Sequence, residues 1–301
     1  MNTNRLKTEI CGVEFKNPII TASGTYGFGR EFERYYNPEI LGGISSKGIT
    51  YHPKGGNDGI RIWETPSGII NSIGLENPGI KAFCEEKIED MLKINTNIFV
   101  NLGGNTIEEY VEAAKMLNDF DFYAIELNIS CPNVKEGGMA FGMDPQSAFE
   151  VVRAVKDVTK HRLFVKLSPN APDLTGVARA AEKAGADGIT LINTILAMAI
   201  DTDTMKCVFD NTYAGLSGPA VKPIALRMTH QVCKSVNIPV IGMGGIKSGR
   251  DAAEFIMAGA AAVQIGTANF MNPRAAAEIV EELAEYLESK DKTVDEIRGI
   301  V

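Results

Sequence analysis

The chain has 301 residues, 45% of them hydrophobic, and its 30 Lys and Arg against 38 Asp and Glu leave a formal net charge of −8. This composition excludes a disordered chain, and the acidic balance without a Lys/Arg cluster argues against nucleic acid or an anionic membrane as the main partner. Five cysteines in no C-x-x-C pair, no signal-like apolar leader and no run of 18 apolar residues exclude a disulfide framework and a zinc or cluster site, so no metal and a cytoplasmic address are expected.

Short runs rich in Ile, Val and Leu predict strands at residues 18–23, 43–47, 98–102, 124–130, 163–168, 188–193, 238–242 and 262–267. Each is followed by polar or glycine-rich residues, as expected of strands buried on both faces. Between the third and fourth strands, residues 106–118 predict a helix opened by a capping box of Thr106 and Glu109. Residues 173–184 and 248–258 predict two more, each stopped by Ala-Gly-Ala, where glycine supplies the left-handed turn. Asn272 followed by Pro273 reads as a cap with proline at the first helical position. The acidic segment after it reads as a solvated helix and then a second one, capped at Thr293 and Glu296.

Eight strands with intervening helices match an α/β fold, a (β/α)8 TIM barrel, with a doubly wound sheet as the rival. No composition break divides the chain, so residues 1–301 read as one domain. Two inserted stretches, 50–68 and 201–215, are too long for simple turns and suggest lids or interaction surfaces over the carboxyl ends of the strands.

The strand ends read TASGTYG, SSKGIT, VNLGGN, ELNISCPN, VKLSPN, LINT, IGMGG and QIGTANF. In either fold these ends build the active site. Histidine is absent from all eight, which disfavours a histidine base. Gly242–Gly245 (GMGG) and Gly266–Thr267 follow the seventh and eighth strands, where barrels bind phosphate through backbone N–H groups; tight turns are the plain alternative. The dinucleotide fingerprint fails, because Gly242 and Gly244 are followed by Lys247 where glycine is required. Cys131 opens the glycine-containing loop 132–142 and is a candidate proton-transfer base, whereas Cys11, Cys84, Cys207 and Cys233 read as buried structural thiols. Lys47 and Lys166 end apolar strands, and a buried lysine needs an anionic partner such as phosphate, carboxylate or a reduced flavin. Asn71, Asn101, Asn128 and Asn193 supply the paired donors and acceptors that a polar heterocycle requires.

The segments TASGTYGFG (21–29), SSKGIT (45–50), WETPSGIINSIGLENPG (63–79), ELNISCPNVKEGG (126–138), INT (192–194), AGLSGPAVKPIALRM (214–228), IPVIGMGGI (238–246) and QIGTANF (264–270) resemble, in unbroken order, those of the dihydroorotate dehydrogenases, most closely the NAD-linked class 1B branch. The resemblance implies a barrel holding FMN, contacted by Ser23, Lys47, Gly48, Asn101, Asn128, Lys166, Ile192, Gly218, Gly244, Gly245, Gly266 and Thr267. It implies that dihydroorotate or orotate is held by Lys47, Asn71, Ser72, Ile73, Gly74, Leu75, Asn128, Asn193 and Thr194. Cys131 would be the base at C5 while C6 delivers hydride to flavin N5. It further implies a homodimer core with two electron-transfer subunits carrying FAD and a 2Fe–2S cluster, which pass electrons to NAD+. Alternatives are a class 1A enzyme oxidised by fumarate, the pyrimidine-reducing barrel of dihydropyrimidine dehydrogenase, a dihydrouridine synthase, which the charge disfavours, and a non-catalytic phosphate- or flavin-binding barrel.

Overall fold

The computed structural model describes residues 3–130 and 141–301. Ile19–Thr21, Gly43–Ser45, Asn97–Leu102, Ala124–Asn128, Arg162–Lys166, Gly188–Leu191, Val240–Met243 and Ala262–Ile265 pair in parallel, in chain order, and the last closes on the first. The expected (β/α)8 barrel is therefore present, and the doubly wound alternative falls because a closed sheet has no edge. Six strands stop two residues earlier than their apolar runs: Ser23, Lys47, Ser130, Ser168, Asn193 and Thr267 lie beyond the ladder. The seventh starts later than expected, past Pro239, which has no N–H to donate.

Period-two alternation sorts the side chains. Ile98, Val100, Ile125, Leu127, Leu163 and Val165 pack in the core between strands and helices. Phe99, Ala124 and Phe164 of the same strands pack with Ile20, Ile241 and Ala262 inside the barrel. A hairpin of Thr8–Ile10 and Val13–Phe15 closes the base, with Phe15 edge-on to Tyr123 at 4.9 Å between ring centroids. Above this aromatic plug the same alternation brings in Asn101, Glu126, Lys166 and Gln264, all buried. The barrel is apolar at its base and polar beneath its mouth.

The helices Ile107–Leu117, Leu174–Lys183 and Gly249–Met257 open on Thr106, Asp173 and Ser248, each accepting a backbone N–H. The box expected at Thr106 is half formed. Its hydroxyl takes the Glu109 N–H at 3.2 Å, but the Glu109 carboxylate reaches past it to the Asn105 N–H at 2.8 Å. The box at Thr293 and Glu296 is complete. Gly185 and Gly259, at φ 102° and 110°, make the expected helix stops. The proline reading at residue 273 needs correction: helix Ala275–Lys290 starts two residues later, because Asn272 is extended and ends the short helix Ala268–Met271. That long helix is also not simply solvated, since it buries Ile279, Leu283 and Leu287.

Both inserted stretches meet in one antiparallel sheet over the mouth, in the order Ile195–Met198, Tyr213–Ser217, Gly68–Asn71 and Ile62–Thr65. The structural reading of Cys207 is wrong. It is exposed, on the small hairpin Ile200–Asp201 with Lys206–Cys207. Burial pushes the Cys84 and Cys233 thiols up to about 11 and about 12. Among the described cysteines, Cys207 should therefore be alkylated fastest at neutral pH, as peptide mapping of a limited iodoacetamide reaction would show; faster labelling of Cys233 would contradict it. Among the described residues, no helix is long and apolar enough to cross a membrane.

Candidate active site

At the carboxyl ends of the strands lies a cavity of about 1090 Å³. Every expected cofactor residue lines it: Ser23, Lys47, Gly48, Asn101, Asn128, Lys166, Ile192, Gly218, Gly244, Gly245, Gly266 and Thr267. So do the expected substrate residues Asn71, Ser72, Ile73, Gly74, Leu75, Asn193 and Thr194. Cys131 lies outside the described residues. The residue before it, Ser130, is buried and held on two sides, donating to Asn128 Oδ1 and accepting from Asn193 Nδ2, both at 2.6 Å. Asn193 in turn accepts the Thr194 N–H at 2.8 Å.

The two lysines differ. Lys166 is buried as expected and donates to Ser23 Oγ at 3.0 Å, with its Nζ 3.8 Å from Glu126 Oε1. Lys47 is only half-buried, because it lies past the end of its strand, and its ammonium meets no acceptor among the described residues. A cation lining a cavity without a partner is suited to an anionic ligand.

Glu126 was missed by reading strand ends alone. It is fully buried and accepts from Asn101 Nδ2 and Gln264 Nε2, each at 2.6 Å, and from Ser45 Oγ at 3.2 Å. The available signal was a carboxylate at an inward position of an otherwise apolar strand. Asn170 was missed as well. It lines the cavity, donates to the Thr194 carbonyl at 3.1 Å and accepts the Leu196 N–H at 3.0 Å, so it pins the chain just after Asn193.

The glycine turns pack against each other. A Cβ on Gly245, at φ 74°, would lie 2.7 Å from the Gly218 carbonyl oxygen, and one on Gly218, at φ 100°, would lie 2.7 Å from Gly68 Cα. Only glycine allows this approach. Thr267 Oγ1 bonds Ser217 Oγ at 2.8 Å, which joins the eighth strand's turn to the same cluster. Asp251 braces it from outside, taking Lys222 Nζ at 2.6 Å and the Lys247 N–H at 3.0 Å. Burial opposes the Asp251 charge, but these bonds and one to Ser248 prevail and hold its carboxyl below the ordinary range. A backbone cradle beside a lysine and several carboxamides fits a phosphorylated, amide-edged ring such as FMN.

The family model described as dihydroorotate dehydrogenase matches residues 5–287. A Petrotoga mobilis protein is 54% identical over 98% of this chain and 99% of its own length, and one from Alkaliphilus metalliredigens is 51% identical over 99% of both. One from Thermoanaerobacter pseudethanolicus is 51% identical over 94% of this chain and 93% of its own. All three are named dihydroorotate dehydrogenase B (NAD(+)), catalytic subunit. The barrel, the residues converging at its mouth and these matches lead to one assignment: the chain belongs to the dihydroorotate dehydrogenase family.

Proposed function

We propose that residues 1–301 form one FMN-binding domain that oxidises (S)-dihydroorotate to orotate, in pyrimidine biosynthesis, as the catalytic subunit of an NAD+-linked enzyme. The observation that carries this is the meeting of Lys47, whose ammonium has no partner among the described residues, with Asn71, Asn128 and Asn193 in one cavity. Lys47 pairs with the substrate carboxylate. The carboxamides of Asn71, Asn128 and Asn193, with the 71–75 segment and Thr194, read the amide edges of its ring. Ser23, Gly48, Asn101, Ile192 and Lys166 contact the flavin, and Gly218, Gly244, Gly245, Gly266 and Thr267 hold its phosphate. FMN, when bound, supplies the hydride acceptor. Cys131 takes the C5 proton, and the residue before it, Ser130, is fixed by two asparagines.

Electrons then leave through a partner. The chain has no dinucleotide fingerprint and no cluster-type cysteine spacing, which supports FAD and a 2Fe–2S cluster on separate electron-transfer subunits around a homodimer core in the cytoplasm. Exposed Trp63, Leu196, Met198 and Tyr213 on the outer sheet support a subunit contact there. Purification from the native host should bring down an iron–sulfur partner with NAD+-reducing activity. A lone chain reoxidised by fumarate would establish the class 1A reading instead.

Lys47→Ala should weaken orotate binding by about 10- to 150-fold, the equivalent of one hydrogen bond to a charged group, and leave uracil binding nearly unchanged. Difference spectra of the flavin on titration with each ligand check this. Equal wild-type affinity for uracil and orotate would favour the dihydropyrimidine reading.

A further inference from the structure

We propose that Glu126 is a positioning residue for the reaction, a buried carboxylate that fixes the sense of the site's hydrogen-bond chain and offsets the charge of Lys166. This rests on the functional reading above, which puts Lys166 and Asn101 against FMN.

The first argument is the direction of the chain. An ionised carboxylate can only accept, so each group bonded to it must turn a donor toward it. Asn101 does so through Nδ2, which leaves its Oδ1 on the other side, 3.5 Å from Asn128 Nδ2. Asn128 Oδ1 accepts the Ser130 hydroxyl, and Ser130 accepts Asn193 Nδ2. Every donor from Asn193 to Asn101 therefore points the same way along the chain, and the chain ends on Glu126. A carboxamide presents opposite chemistry on its two ends, so this terminal acceptor decides which atoms Asn101, Asn128 and Asn193 show to a ligand.

The second argument is charge. Glu126 is fully buried and the Lys166 side chain is 5% exposed, so solvent screens neither well. At 3.8 Å the carboxylate lowers the positive potential that Lys166 projects into the cavity. Reduction places negative charge on the flavin ring. A neutral residue at position 126 therefore leaves Lys166 uncompensated and favours the reduced flavin.

The structure also supplies a clean variant. Gln264 Oε1 is buried without a hydrogen-bond partner among the described residues. In Glu126→Gln, a flip of the Gln264 amide would present that oxygen to the new Nε2 while Asn101 keeps its acceptor. The substitution then removes charge and keeps the three bonds at position 126, with Gln264 Nε2 taking the place of the partnerless oxygen.

The test is the flavin midpoint potential of the FMN-loaded protein, measured by dye equilibration. Glu126→Gln should favour the reduced flavin about tenfold, a rise of about 30 mV for a two-electron couple. The double variant E126Q/Q264E returns a carboxylate one hydrogen bond away and should restore the wild-type potential. An unchanged potential in E126Q, or a double variant displaced as far as E126Q, would overturn the proposal. Should E126Q fail to fold, the double variant alone decides, by matching or missing the wild-type value. Loss of thermal stability in E126Q with no change in potential would reduce Glu126 to a structural role. A wild-type chain that takes up no FMN would instead overturn the functional reading.

Discussion

Cys131→Ala is expected to retain FMN and to be reduced by dihydroorotate about 10²–10⁴ times more slowly than the wild type, the usual contribution of a positioned general base. The strand ends carry no histidine for the task. His161 is buried against Phe122 and bonded to the Leu117 carbonyl, on the helix side of the barrel. Lys166 and Lys47 are cations suited to holding negative charge. The pH dependence adds a second check. A thiol has an ordinary pKa near 8.5 and only the thiolate accepts a proton, so the wild-type rate should rise with pH through that range. The alanine variant should be flat there, and Cys131→Ser should recover part of the rate only at higher pH, since a hydroxyl ionises later. Anaerobic stopped-flow reduction from pH 6 to 10 measures all three. Near wild-type reduction of Cys131→Ala at neutral pH would remove the residue from the mechanism.

The barrel was legible in the sequence because strands buried on both faces are written as continuous apolar runs, and each is bounded by polar residues or glycine. The candidate site was legible for the same reason, as a set of residues that the fold brings together. Ser23, Lys47 and Asn193 stand where an apolar run gives way, beyond the last ladder bond, and in a barrel those places converge. What the runs concealed lies inside them. Glu126 sits between Ile125 and Leu127, whose packing toward the helices makes it an inward residue. Its significance appears only when Asn101, Gln264 and Ser45 arrive from three other strands. Pairings of that kind depend on register, which the sequence pattern does not state. The half-formed box at Thr106 shows the limit on a smaller scale, because spacing permits the bond while local geometry sends Glu109 to Asn105 instead.

Lys166→Ala is expected to cost about 3 kcal/mol of folding stability, toward the lower end of what removing one partner of a buried ion pair costs. The reason is the residue left behind: Glu126 would remain fully buried with no ion-pair partner among the described residues. Three neutral donors, Asn101, Gln264 and Ser45, still bond its oxygens, and they keep the loss from being larger. Adding Glu126→Gln in the same chain removes the stranded charge, so K166A/E126Q should recover most of the stability without recovering activity. Urea denaturation of wild type, single and double variants measures this, and a double variant no more stable than K166A would refute the account. The potentials add a discriminating sign. Loss of Lys166 withdraws positive charge from the reduced flavin and should lower its midpoint potential, whereas loss of Glu126 should raise it. General damage to the site would move both variants in the same direction. Opposite shifts from two residues 3.8 Å apart are the signature of an electrostatic pair acting on one cofactor.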